Sequence, residues 1–299
     1  MKAREPIFKG SGVALITPFD ERNRINIPKY KQLIDFHLNN GTDAIIVAGT
    51  TGEASTLSDE EQLGLVDEVV RHVKGRIPVI AGTGSNDTRH GVELSRNAAK
   101  LGVDGLLIVT PYYNKTSQEG LVAHYRLIAE NVYDKPIILY NVPGRTGMTI
   151  KPETYYELSR IPNIVATKEA SGDIEHIRKV RDLCLEYLDI YSGNDDQIAD
   201  IVSLGGIGVI SVSANILPKE THSIAITGNH QEQEYFNPLF NDLFIDVNPI
   251  PIKEAMNILG MEVGECRLPL IRMNAEKQKV LRKTMSQYST ELQNKKLDI

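Results

Sequence analysis

The chain has 299 residues, 41% of them hydrophobic, which is enough for a full core and within the size range of a one-domain α/β barrel. Its 39 acidic and 33 basic side chains give a net charge of −6 with no basic stripe, so no nucleic-acid partner is expected. Residues 1–8 carry no apolar leader core and no apolar run reaches membrane-spanning length, so a cytoplasmic protein with no membrane partner is expected.

Taken in order, the chain alternates short apolar runs with amphipathic segments. A strand is expected over 12–17, closed by Pro18. Pro28 starts a helix whose apolar stripe includes Leu33, Ile34 and Leu38, and Gly41 ends it. A second strand over 44–47 runs into Gly49-Thr50-Thr51-Gly52-Glu53. Ser58 with Glu61 makes a capping box for a helix that runs to Gly75. A third strand over 78–81 precedes Gly82-Thr-Gly-Ser-Asn86, and a helix follows to Leu101 with Gly102 as its stop. The fourth strand, 106–109, leads into Thr110-Pro-Tyr112-Tyr113-Asn114. The stretch 40–47 resembles 101–108, so two strand–helix units of similar size repeat. Strand five covers 136–140, after a helix through about Asn131. Strand six begins with the apolar 164–166, ends in Lys168, and is followed by a helix opened by Gly172 and Asp173 that runs to about Leu185. Strands seven and eight lie at 188–191 and 208–212. Four further helical segments follow Pro218, at 219–227, 231–245, 251–259 and 275–294.

Eight such units fit either a (β/α)8 barrel or a doubly wound open sheet. The barrel is favoured because nearly every strand ends in polar, Gly-rich sequence. A barrel gathers all eight strand ends at one face, whereas an open sheet concentrates its ligand loops at a switch point. The expected division is a catalytic barrel over 1–230 and a C-terminal helical region over 231–299. Cys184 and Cys266 give no disulfide framework and read as reduced residues in helical settings. No Cys or His spacing suits zinc, so no metal is expected. Gly205-Gly-Ile-Gly208 precedes a strand, where a dinucleotide loop would follow one, so no cofactor is expected either.

Lys168 is the residue with the sharpest chemistry. An ammonium leaving an apolar strand is costly unless it is paired or neutral. An ion pair with Glu169 or another carboxylate is the bland account; a desolvated amine attacking a carbonyl is the functional one. Tyr140 ends the neighbouring strand of a barrel, so its phenol would meet Lys168 and shuttle protons, unless it is simply a half-buried strand tyrosine. Thr50 and Thr51 offer hydroxyls in a loop whose glycines allow close backbone approach, suited to a small carboxylate or to an ordinary turn. Arg145, in a Pro- and Gly-held loop, suits a carboxylate or plain solvent.

Five segments in order, GTTGE at 49–53, TPYYN at 110–114, YNVPGRTG at 140–147, KEASGD at 168–173 and GVISVSAN at 208–215, resemble the dihydrodipicolinate synthase family over essentially the whole chain. The resemblance implies a (β/α)8 barrel with a C-terminal helical region. It implies condensation of pyruvate with L-aspartate 4-semialdehyde in lysine and diaminopimelate biosynthesis. It implies Lys168 as the Schiff-base lysine and Tyr140 as proton donor. Thr50 and Tyr113 match a relay to it, with Tyr113 reaching across a dimer interface. Thr51 and Ile210 match pyruvate contacts, Ile210 through its backbone, and Arg145 matches the residue that receives the aldehyde. A homotetramer of two tight dimers is implied as well. N-acetylneuraminate lyase and hydroxy-oxoglutarate aldolases share the lysine and tyrosine on the same barrel, but usually differ in the strand-two loop and lack an arginine like Arg145. A barrel that binds a keto acid without turnover is the alternative from another class.

The match weakens at the family's effector crevice. Asn86 and Tyr112 match it, but Asp59 and Gln62 stand in place of histidines, Ala54 in place of a serine and His90 in place of a glutamate. Loss of that carboxylate removes a partner for lysine's ammonium, so weak or absent inhibition by lysine is expected.

Overall fold

A computed structural model describes residues 5–293. The first four residues of the segment read above for a leader, and the expected end of the last helix at Asn294, lie outside that range. Eight parallel strands close into a barrel in sequence order. They are β1 (Gly10–Ala14), β2 (Ala44–Val47), β3 (Val79–Gly82), β4 (Gly105–Val109), β5 (Ile137–Asn141), β6 (Ile164–Glu169), β7 (Asp189–Ser192) and β8 (Gly208–Ser211). Each pairs with the next, and β1 closes on β8 with Gly12 opposite Ile210.

Between the strands run α1 (Ile27–Asn39), α2 (Asp59–Val73), α3 (Thr88–Lys100), α4 (Gln118–Asn131), α5 (Pro143–Thr146), α6 (Pro152–Leu158), α7 (Ile174–Cys184) and α8 (Ile198–Ser203). Past the barrel come α9 (Pro218–Thr227), α10 (His230–Asp242), α11 (Ile250–Ile258), α12 (Ala275–Gln287) and α13 (Ser289–Leu292).

Local chemistry accounts for most boundaries. The Ser58 hydroxyl accepts from the Glu61 amide at 3.2 Å and the Glu61 carboxylate accepts from the Ser58 amide at 3.1 Å, forming the expected capping box of α2. Gly41 and Gly102, after α1 and α3, both adopt left-handed φ, 79° and 89°, as helix-ending glycines do. Several readings shift. The first strand is 10–14 rather than 12–17. Pro143–Thr146 is a turn of helix rather than loop. Helix α6 was not anticipated, because Pro152-Glu-Thr-Tyr-Tyr-Glu-Leu158 is too short to show a periodic stripe. Cys184 ends α7 as expected, but Cys266 sits in a loop rather than a helix; both are free.

Two shells of apolar side chains follow from the period-two alternation of strands. Ile46, Leu107, Ile138, Ala166 and Ile210 pack together inside the barrel. Their neighbours Ile45, Ile108, Leu139, Ile190 and Val209 belong to the second shell, packed against the helices. The same alternation decides which polar residues at the strand ends face the barrel interior.

Candidate active site

Tyr140 and Lys168 are Cα partners across β5 and β6, with Asn141 opposite Glu169 one step further on. This pairing depends on a register skip. Ile137 pairs with Ile164, but Ile138 pairs with Ala166, so β6 contributes one extra residue. Without the skip, Tyr140 would face Thr167; the bulge sets Lys168 beside it instead. Both side chains join the inner face, Tyr140 7% and Lys168 5% exposed, with Nζ 4.4 Å from the centroid of the phenol ring.

Glu169 lies on the other face of β6 and does not pair with Lys168. Its carboxylate accepts from Tyr155 Oη at 2.8 Å, from Asn141 Nδ2 at 2.9 and 3.2 Å and from the Ser171 amide at 3.0 Å. Burial pushes this carboxyl upward from its ordinary pKa, opposed by Tyr155 and His176. Among the described residues, no carboxylate lies within ion-pair distance of the Lys168 ammonium position. The bland account of this lysine therefore fails, and the buried nitrogen faces an aromatic ring rather than an acid.

Gly193, after β7, explains how tightly the lysine is held. A Cβ built there would lie 2.7 Å from Ala170 Cβ and 3.1 Å from Lys168 Cε. Only glycine leaves room for the lysine stem at that point. Asp195, 2% exposed, accepts from the amides of Val212 and Ser213 at 3.1 and 2.7 Å and so fixes the chain that leaves β8 after Ile210. Burial raises the Asp195 pKa, while hydrogen bonds from Ser211 and Ser213 and the charge of Lys168 act in the opposite direction.

The remaining expected residues are placed as follows. Thr50, Tyr140 and Arg145 line one cavity of about 340 Å³, with Tyr112 and His90 on its wall. Thr51 is buried, and its hydroxyl accepts from Asn248 Nδ2 at 3.0 Å. Arg145 Nη2 donates to the Asn248 carbonyl at 3.2 Å. Ile210 is fully buried on β8. Tyr113 is not brought to the others within this chain: it is 92% exposed and adopts a left-handed φ of 70°, while Tyr112 turns to the cavity.

Sequence reading missed Gly193, Asp195 and Asn248. The first two lie in a stretch singled out only as a polar strand end. Asn248 carried no local signal beyond standing before Pro249. Among the described residues, no group of three or more His, Cys, Asp or Glu side chains is placed to hold a metal ion, and no helix is long and apolar enough to cross a membrane.

A family model described as "Dihydrodipicolinate synthetase family" matches residues 7–288. The chain belongs to this family. A 4-hydroxy-tetrahydrodipicolinate synthase of Caldicellulosiruptor saccharolyticus is 54% identical over 290 residues, covering 95% of this chain and 98% of the relative. One from Clostridium tetani is 53% identical over 291 residues, covering 95% and 98%. Among solved structures, dihydrodipicolinate synthase from Aquifex aeolicus superposes with a TM-score of 0.91 at 42% identity, covering 96% of this chain and 100% of that one. The 4-hydroxy-tetrahydrodipicolinate synthase of Methylacidiphilum fumariolicum SolV gives 0.92 at 36% identity, covering 96% and 98%. Membership in the dihydrodipicolinate synthetase family thus rests on nearly the full length of both partners, and on the same closed barrel.

Proposed function

We infer that this chain is an enzyme that condenses pyruvate with L-aspartate 4-semialdehyde to give 4-hydroxy-tetrahydrodipicolinate. The observation that carries this reading is Lys168: buried, with no carboxylate of the described residues within ion-pair distance, and set opposite a tyrosine at the end of a barrel strand.

The chemistry follows from that placement. The Lys168 amine adds to the pyruvate ketone, and loss of water leaves a protonated imine. The imine is an electron sink, so a methyl proton departs and an enamine forms. The enamine carbon attacks the aldehyde. The amine of the aldehyde substrate then adds to the imine carbon and displaces Lys168, closing a six-membered ring. Tyr140 carries protons to and from the imine centre, with Thr50 and Tyr113 of a second copy as its relay. Thr51 and the backbone of Ile210 hold the pyruvate, and Arg145 receives the carboxylate of the aldehyde. The contacts of Thr51 and Arg145 with Asn248 support this assignment, because they tie the two loops to one residue.

In this reading the barrel domain of residues 1–230 supplies the reacting groups, and the helical region of 231–299 supports them through Asn248 and Lys253. The exposure of Tyr113 supports a dimer at least, and the family resemblance a homotetramer of two tight dimers. A cytoplasmic setting fits a biosynthetic enzyme acting on two small soluble substrates.

The test supplies pyruvate with either L-aspartate 4-semialdehyde or N-acetylmannosamine and follows which aldehyde is consumed. Consumption of the semialdehyde is expected. Borohydride reduction with pyruvate, followed by mass spectrometry, is expected to leave an adduct on Lys168. Absence of the adduct would sink the reading.

A further inference from the structure

The loop over residues 48–53 begins and ends in an uncommon conformation. Ala48 has φ 53° and Glu53 has φ 58°, both left-handed and both with a Cβ. Such a backbone persists only where its surroundings over-determine it. Four contacts that involve a side chain do so at its Glu53 end. The Thr17 hydroxyl donates to the Gly52 carbonyl at 2.7 Å. Asn248 Nδ2 donates to the Thr51 hydroxyl at 3.0 Å. Lys253 Nζ donates to Glu53 Oε1 at 2.8 Å, and the Arg267 amide donates to Glu53 Oε2 at 2.8 Å.

Three of the four come from beyond residue 245, and two of these, Asn248 and Lys253, stand just before and within α11. The Glu53 and Lys253 side chains are 1% and 2% exposed, so each is a buried charge whose main compensation is the other. The ammonium also donates to the Glu265 carbonyl at 2.9 Å and lies 4.4 Å from the centre of the Phe19 ring. The Arg267 guanidinium covers the same ring at 4.4 Å and pairs with Glu61 at 2.6 Å. The carboxylate of Glu53 is therefore a junction between the strand-two loop, α11 and the segment that carries Arg267. Neither Glu53 nor Lys253 lines the cavity, whereas Thr50, three residues from Glu53, does.

We propose that the Glu53–Lys253 pair is a positioning device for the Thr50–Thr51 loop, through which the C-terminal helical region sets how tightly the keto acid is held. The proposal rests on the reading of that loop as the pyruvate site. Stability alone needs no charged pair here, since an apolar or neutral pair of similar volume commonly serves a core as well. A carboxylate held by two donors from different segments fixes the end of the loop in direction as well as in place.

The experiment compares K253M, E53Q and the double variant E53Q/K253M with the unaltered full chain. It measures thermal midpoints, kcat, and KM for each substrate. K253M leaves a buried carboxylate with one donor fewer; the double variant removes both charges and so avoids an unpaired buried ion. The double variant is expected to regain most of the thermal midpoint lost in K253M, yet to keep a pyruvate KM raised at least tenfold, with KM for the aldehyde changed less than threefold. A folded double variant with pyruvate KM within twofold of the unaltered chain would overturn the proposal. So would failure of both K253M and the double variant to fold, because the pair would then serve the fold rather than the loop. Failure of the unaltered chain to form the pyruvate adduct would instead count against the functional reading itself.

Discussion

At the scale of single residues, the site rests on a buried lysine that, among the described residues, has no carboxylate within ion-pair distance and an aromatic ring beside its nitrogen. Replacing Lys168 with Ala is expected to abolish the borohydride-trapped pyruvate adduct while the circular dichroism spectrum is retained. Replacing Tyr140 with Phe removes the proton carrier and keeps the ring that faces Nζ. Turnover is expected to fall by about 10²–10⁴-fold, the range usual for a general acid–base group, measured by steady-state kinetics. Gly193→Ala is a sharper test of the geometry. Its Cβ would crowd both Ala170 and the Lys168 stem, and the Ala170 contact at 2.7 Å leaves no space without movement. A displacement of this size near a reacting atom costs about 10²-fold, so adduct formation is expected to slow by that order in a protein that still folds.

At the scale of elements, two helices carry histidines that burial keeps neutral. His37 on α1 is pushed down to about 3 and His124 on α4 to about 4, from 6.5, by desolvation. In the unfolded chain these rings take up protons near pH 6.5; in the folded chain they do not until well below that. Stability is therefore insensitive to them above about pH 6.5 and falls as pH drops from there toward 3. Glu61 on α2 adds to the trend: the hydrogen bond from Arg267 holds its carboxyl below the ordinary value, so its contribution is also lost on acidification. The thermal midpoint is expected to decline below pH 6.5, and His124→Gln to make that decline shallower; an unchanged slope in the variant would refute the assignment. The capping box of α2 supplies a separate estimate. Ser58→Ala removes one cap hydrogen bond, expected to cost about 1 kcal/mol and to lower the midpoint by about 2–4 °C, with the pyruvate adduct unaffected.

At the scale of the whole molecule, the cavity beside Tyr140 runs on to Gln62, His90 and Tyr112, where the family resemblance places an effector crevice. Several polar groups there bond to one another. His90 Nε2 lies 3.0 Å from both oxygens of Asp59, its Nδ1 lies 3.0 Å from Ser85 Oγ, and Gln62 donates to the Ala54 carbonyl at 2.9 Å. The carboxylate of this set, Asp59, already faces the His90 ring through both oxygens. L-lysine at submillimolar concentration is expected to leave the initial rate within twofold of the uninhibited value; half-inhibition in that range would contradict this.

The barrel and its mouth were legible in the sequence because local pattern carries that information. Eight apolar runs of strand length, each ending in polar and glycine-rich residues, specify both the repeating unit and the face where ligands gather. Alternation within each run says which side chains share a face. The lysine and tyrosine were visible for the same reason, as polar residues closing apolar strands. The register between strands was not visible, because pairing is decided by how separate segments pack. One extra residue in β6 sets whether Tyr140 meets Lys168 or Thr167. Nor could periodicity announce that Asn248 and Lys253 reach back about 200 positions to the strand-two loop. Those contacts exist only once the closed barrel gives the C-terminal helices a surface to lie on, and burial then makes each polar group there depend on a partner far away in the chain.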